Sequence, residues 1–309
     1  MTEQKNQWWE RLHWRLFFPI LVLGLAGIAY TALRWNALYD SALLYLGIPL
    51  ILALGFSLIP ERKTAMGATM KGTTVALFLS VAVFQEGYIC ILFVAPLFYA
   101  VGALIAWQVD RARKRKGTAA QAAVLACCLA VLSLEGATDL TTFPRDNVVE
   151  VSQIIPADIT QVREQLAKTP AFPEQKPFFL RIFPYPVHIS GQGLEPGDER
   201  RAHFVAWKHI WWTKVEGDLV FQVAESTPGS ITFRVVKDDT YISHYLKWLS
   251  SRVRLEAVDD SHTRVTWTHE YQRLLDPVWY FGPLQHYAVA LTTEQLVRYV
   301  ATPAGQTGS

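Results

Sequence analysis

Two rhythms divide the chain. Up to about residue 137 apolar residues come in unbroken runs, and beyond it they alternate with polar ones. As helices rising about 1.5 Å per residue, the runs over 16–35 and 38–59 are long enough to cross a hydrocarbon layer of about 30 Å. The next stretch, from Gly72 to Val109, is too long for one crossing. It breaks at Gln85-Glu86-Gly87, where a charge meets a helix breaker, which predicts helices over 70–85 and 88–109, the second kinked near Pro96. A last run covers 119–135. The reading is a transmembrane domain of five helices over 1–137.

Loop charge sets an expected orientation, since Lys and Arg favour the cytoplasmic side. Lys5, Arg11 and Arg15 precede the first run, Arg62, Lys63 and Lys71 follow the second, and five basic residues from Arg111 to Lys116 precede the last. The two intervening loops carry only Arg34. Five crossings place every basic loop on one side. The expectation is a protein integral to the cell (inner) membrane, its N-terminus cytoplasmic and its second half extracytoplasmic. The first run is read as a retained helix rather than a cleaved leader, because four more follow. Asp40, Glu86 and Glu135 fall at the expected outer boundary, either as a cation relay or as acids in the headgroup region.

After a polar linker, 138–146, the periodicity changes to that of strands. Val148 to Ile155 reads as a strand and Ala157 to Lys168 as a helix. Strands are then expected over 187–190, 199–206, 209–215, 219–225, 231–237, 245–258 and 262–272, with turns at Gly191-Gln192-Gly193, Glu216-Gly217-Asp218, Pro228-Gly229 and Asp259-Asp260-Ser261. Val278 to Val300 reads as one long helix with an apolar stripe of Tyr280, Leu284, Tyr287 and Leu291. The tail, 302–309, is small and polar.

This order of strand, helix, meander and long terminal helix resembles the helix-grip fold of the START-like superfamily, also described as SRPBCC or polyketide cyclase/dehydrase-like. The resemblance is carried by Val148-Val149-Glu150-Val151-Ser152 with Pro156-Ala157, by Gly191-Gln192-Gly193, by Val253-Arg254-Leu255 with Thr263-Arg264-Val265-Thr266-Trp267, and by the terminal helix. It covers roughly 147–301 and implies a bent antiparallel sheet wrapped around the last helix, with a cavity between them. The fold class expected for the whole chain is therefore a membrane α-helical bundle joined to an α+β helix-grip domain.

Alternation assigns the cavity wall. Val265, Trp267, His269 and Tyr271 share one face of the last strand, and Leu249, Ser251, Val253 and Leu255 one face of the strand before it, with Arg254 opposed. Phe204, Trp211, Phe221 and Phe233 extend the apolar set, and Tyr280, Leu284 and Tyr287 face it from the helix. Such a wall suits an apolar guest held by a few polar contacts. Three uses remain open. One is membrane-tethered binding or transfer of a lipid or isoprenoid-like molecule. Another is a cyclase or dehydrase acting on a polyketide-like substrate, with His269, Tyr271 and Arg254 as candidate proton-transfer groups. The third is a filled core that docks a protein partner, which the sequence does not identify.

Composition narrows the alternatives. The 309 residues are 51% hydrophobic and only 18% charged, with a mean hydropathy of +0.15. Residues 1–136 hold 12 basic and 7 acidic residues, and the remainder 17 and 20. The positive excess thus lies in the apolar half, which argues against nucleic acid as a partner. Cys90, Cys127 and Cys128 sit inside apolar runs, so they form no disulfide framework and no metal-type spacing. The scattered histidines show no ligand spacing either, and no cofactor, phosphate-loop or nucleophile motif is present.

Overall fold

The computed structural model describes residues 2–36, 38, 41–57, 64–83, 88–114, 119–170, 176–208 and 213–301. The chain divides into two compact units, residues 1–143 with 208–211, and residues 144–207 with 212–309.

The first unit is helical. It comprises α1 (Thr2–Trp35), a π turn (Leu43–Gly47) leading into α2 (Ile48–Ser57), α3 (Ala65–Val83), α4 (Tyr88–Lys114) and α5 (Ala119–Leu132). Two segments, Phe18–Trp35 and Cys90–Lys114, are long and apolar enough to cross a membrane; Leu43–Phe56 and Ala123–Leu132 are shorter apolar helices. Small residues let these helices pack closely. Leu52, Ala53 and Ala106 are fully buried, and a Cβ on Gly72 of α3 would lie 2.2 Å from the Phe56 ring of α2. Asp110 near the end of α4 caps the start of α3, accepting from the backbone N–H groups of Ala65 (2.6 Å) and Met66 (3.0 Å). Outward-facing positions are apolar, among them Ile20, Ile28, Phe78, Val124 and Val131. Glu135 is buried, whereas Asp40 and Glu86 lie outside the described residues.

The second unit opens with β1 (Asp146–Ile155) and α6 (Ile159–Ala167). Asp158 starts the helix in a reciprocal capping box, accepting from the Gln161 N–H at 2.9 Å while the Gln161 side chain returns to the Asp158 N–H. A 3-10 turn (Phe178–Ile182) leads to β2 (Pro186–Ser190), β3 (Glu199–Lys208), β4 (Thr213–Thr227), β5 (Ser230–Asp238), β6 (Leu246–Asp259), β7 (His262–Arg273) and the terminal helix α7 (Val278–Ala301). The sheet order is β1-β7-β6-β5-β4-β3-β2, and every described pairing is antiparallel. A curled seven-stranded antiparallel sheet with β1 and β2 at its edges, followed by the long helix, fits a helix-grip fold.

Three expectations change here. The turn expected at Glu216-Gly217-Asp218 is absent, and β4 runs straight through it. Gly217 instead permits a close approach, because a Cβ there would lie 2.2 Å from the Asp239 carbonyl oxygen. Gly191 does occupy a turn conformation, at φ +99°. On β6 the ladder skips Leu249, pairing Trp248 with Tyr271 and Ser250 with Glu270. This bulge turns Leu249 outward (36% exposed) and brings Leu246 and Trp248 onto the same face as Ser251, Val253 and Leu255. On α7 the buried stripe is Phe281, Gln285, Val289, Thr293 and Val297, one residue out of register with the expected one.

The interior lies between the sheet and α7. Ile155, Val162, Val223, Ile231, Phe233, Val253, Leu255, Val265 and Trp267 pack with Val297 and Val300, and a second group joins Val149, Leu246 and Tyr271 to Val289. Burying side chains of this size contributes roughly 1.5–3 kcal/mol each.

Candidate functional site

Strand β7 alternates in burial from Trp267 to Arg273, and its inward face reads Val265, Trp267, His269, Tyr271, Arg273, all buried. Apolar at its start, this row becomes polar along its length. The Trp267 Nε1–H donates to Ser251 Oγ at 2.8 Å, and its indole stacks on His269 with centroids 6.1 Å apart. Trp248, brought inward by the bulge, approaches His269 from another side at 5.4 Å.

His269 Nδ1 lies 3.1 Å from Thr293 Oγ1 on α7. The single hydroxyl proton of Thr293 goes to the Val289 carbonyl at 2.7 Å, so Nδ1 is the donor and the other ring nitrogen carries the lone pair. Burial between the indoles lowers the His269 pKa to about 4, which keeps the ring neutral at physiological pH.

Beyond His269 the row contains buried polar atoms without partners. The Tyr271 hydroxyl has no hydrogen bond, and burial pushes its pKa up to about 12 against the opposing pull of Arg273. Arg273 directs Nη1 to Asp276 and to the Leu275 carbonyl, while its Nε and Nη2 are unpaired. Asp276 also receives the half-buried Arg145 at 2.7 Å, so two guanidinium groups share one buried carboxylate. From α7, Gln285 donates to the Tyr245 carbonyl at 3.0 Å and leaves its Oε1 unpaired. Tyr245 adjoins Leu246, the ladder partner of Arg273. Each orphaned group of this kind costs about 1–3 kcal/mol when nothing meets it.

Of the residues expected to line a cavity, Phe204, Phe233, Val253, Leu255, Trp267, His269 and Tyr271 are buried, and Phe221 packs half-buried against the same core. Trp211 lies outside the described residues. Tyr280 and Leu284 are half-buried, and Tyr287 is 52% exposed with its ring edge against Phe179. Arg254 is exposed on the outer face of β6, so it does not join His269 and Tyr271 as a proton-transfer group. Pattern reading missed Trp248, Arg273, Gln285 and Thr293. The unbroken odd-numbered alternation of β7 pointed to Arg273, and the four-residue spacing from Phe281 to Val297 pointed to the other helical pair.

No family model matches the chain, and no curated protein matches it. Solved structures similar to part of the chain include a START superfamily protein from Mycobacterium smegmatis, at 14% identity over 50% of this chain and 94% of that one, with a TM-score of 0.35. A protein from Chromobacterium violaceum aligns at 12% identity over 50% of this chain and 94% of that one, with a TM-score of 0.33. The major latex-like protein 151 from Panax ginseng aligns at 12% identity over 50% and 97%, with a TM-score of 0.29. The helix-grip assignment rests on the strand order and terminal helix of this chain itself.

Proposed function

We propose that the second unit binds a hydrophobic molecule bearing an oxygenated end, and that the first unit holds it at a lipid bilayer. The observation that carries the reading is the set of orphaned polar atoms on Tyr271, Arg273 and Gln285, in an interior otherwise lined by apolar and aromatic side chains. An apolar guest gains about 0.8 kcal/mol per buried methylene. Its oxygen, as an alcohol or carboxylate, satisfies the guanidinium and hydroxyl groups that otherwise lack partners. Membrane attachment is supported by two helices of spanning length and by the apolar outward positions of α1 to α5. The spacing of the basic loops supports a cytoplasmic N-terminus and an extracytoplasmic second unit.

The full chain, purified in nanodiscs and incubated with a total membrane extract, is expected to retain a defined apolar species by native mass spectrometry. Tyr271→Phe should weaken retention severalfold without lowering the melting temperature of the empty protein, because it deletes a hydroxyl that nothing satisfies. Repeated recovery of nothing but nanodisc lipid, or a melting temperature that falls with Tyr271→Phe, overturns the reading.

A further inference from the structure

The inward row of β7 ends on a guanidinium that is paired through one nitrogen only. Arg273 gives Nη1 to the Asp276 carboxylate and to the Leu275 carbonyl, while its Nε and Nη2 are buried without partners. Those two nitrogens lie along one edge of the planar group with their N–H bonds parallel. It is an edge that can meet both oxygens of a carboxylate at once.

Arg145 does not offer the same edge. Its Nη2 donates to Asp276 Oδ2 at 2.7 Å and its Nη1 to the Leu274 carbonyl at 3.3 Å, so only Nε is left. Both Asp276 oxygens are engaged, Oδ1 by Arg273 and Oδ2 by Arg145. Among the described residues no other carboxylate pairs with these two guanidinium groups, which therefore share one counter-charge.

The neighbouring groups add a donor and hydrocarbon. Tyr271 stands two residues back on the same face, about 7 Å along the strand, and its buried hydroxyl has no partner. Leu246 pairs across the ladder from Arg273, and Val149 and Val289 pack with Leu246 and Tyr271. A guest hydroxyl would meet the open edge of Arg273 with one oxygen and no charge. A guest carboxylate meets it with two oxygens and brings the second counter-charge.

We infer that the guest is a hydrophobic carboxylate of the fatty-acid class, gripped by the Nε–Nη2 edge of Arg273 with the Tyr271 hydroxyl as a further donor. The inference rests on the ligand-binding reading above and narrows it, selecting the acid over the alcohol among the oxygenated ends that reading admits.

The test compares guests that share a chain and differ at one end. The full chain in phosphatidylcholine nanodiscs receives equal amounts of palmitic acid, hexadecanol and methyl palmitate. Empty nanodiscs measure simple partition, and native mass spectrometry reads what the protein retains. The acid should be retained about tenfold or more over both neutral analogues. Arg273→Lys keeps a cation for Asp276 but removes the paired edge, and should cut that preference to about threefold or less. The wild type alone separates acid from alcohol and ester, so the test does not depend on that variant folding. Equal retention of acid and neutral analogues, or an unchanged preference in folded Arg273→Lys, overturns the inference and leaves hydrophobic binding standing. Retention of none of the three overturns the underlying reading as well.

Discussion

Along α1 to α5 the outward positions include Ile20, Ile28, Phe78 and Val124, while Ser41, Thr69 and Thr73 are buried. Along β5 to β7 the order is reversed, with Ile231, Val253 and Val265 inside and Arg234, Arg252 and Arg254 outside. The two units thus differ in what they expose rather than in what they bury, since Leu46, Leu52 and Ile105 fill the helical unit as Ile231, Val253 and Val265 fill the sheet unit. Yet the sheet unit also buries His269 and Arg273 along one row of its interior, with Asp276 just beyond the end of the strand. Packing alone gives no reason to place such groups there. That exception is where a binding role is to be sought.

The largest effect expected concerns the buried charges. Asp276→Ala would leave the fully buried Arg273 uncompensated and should destabilise the second unit by about 3–5 kcal/mol. Protease resistance and thermal unfolding followed by tryptophan fluorescence would show it. A silent substitution would mean that Arg273 is solvated and that the polar row is not an interior.

The difference in surroundings is tested by one chemical change at two exposed apolar sites. Ile28→Arg, at a position 67% exposed on the Phe18–Trp35 segment, should disfavour membrane insertion by about 2.5–3.5 kcal/mol. Val148→Arg, 57% exposed on β1, should change stability by no more than about 0.5 kcal/mol. The amount of chain retained in membranes after an alkaline carbonate wash measures the first, and the melting temperature the second. Equal tolerance at both sites would remove the case for a bilayer around α1.

A separate effect is the pH response of His269. The unfolded chain protonates this residue near pH 6.5 and the folded chain only near pH 4, so the neutral ring contributes stability that is complete above pH 6.5. That contribution, about 3 kcal/mol at most, is lost as the pH falls from 6.5 to 4. His269→Gln should flatten the melting-temperature profile over that window. The contribution of Asp259, whose pKa is lowered to about 2, is present above the usual carboxylate range and is lost only at lower pH, so the two responses separate.

How much of this was legible depended on how regular each element is. The inward face of β7 was readable because its alternation is uninterrupted from Trp267 to Arg273. The face of α7 was not, since a search for an apolar stripe selects Tyr280, Leu284 and Tyr287 over a row containing Gln285 and Thr293. Those polar residues are buried because the sheet offers them partners, and no single-element pattern carries that information. Gly217 was read as a turn signal, although its small size serves an approach by Asp239 instead. The orphaned atoms of Tyr271, Arg273 and Gln285 became recognisable only after strand pairing brought their residues together.

The bulge at Leu249 sets the parity of the lining. With one extra residue in β6, even-numbered positions upstream and odd-numbered positions downstream belong to the same interior, so Trp248 and Ser251 both reach His269 or its neighbour Trp267. Deleting Leu249 would restore regular pleating without exchanging those faces. Inserting a residue elsewhere in β6 would exchange them, presenting lysine and arginine where tryptophan and valine now stand. Single-residue length changes in this strand are thus a more abrupt route to a new guest preference than any substitution in the wall.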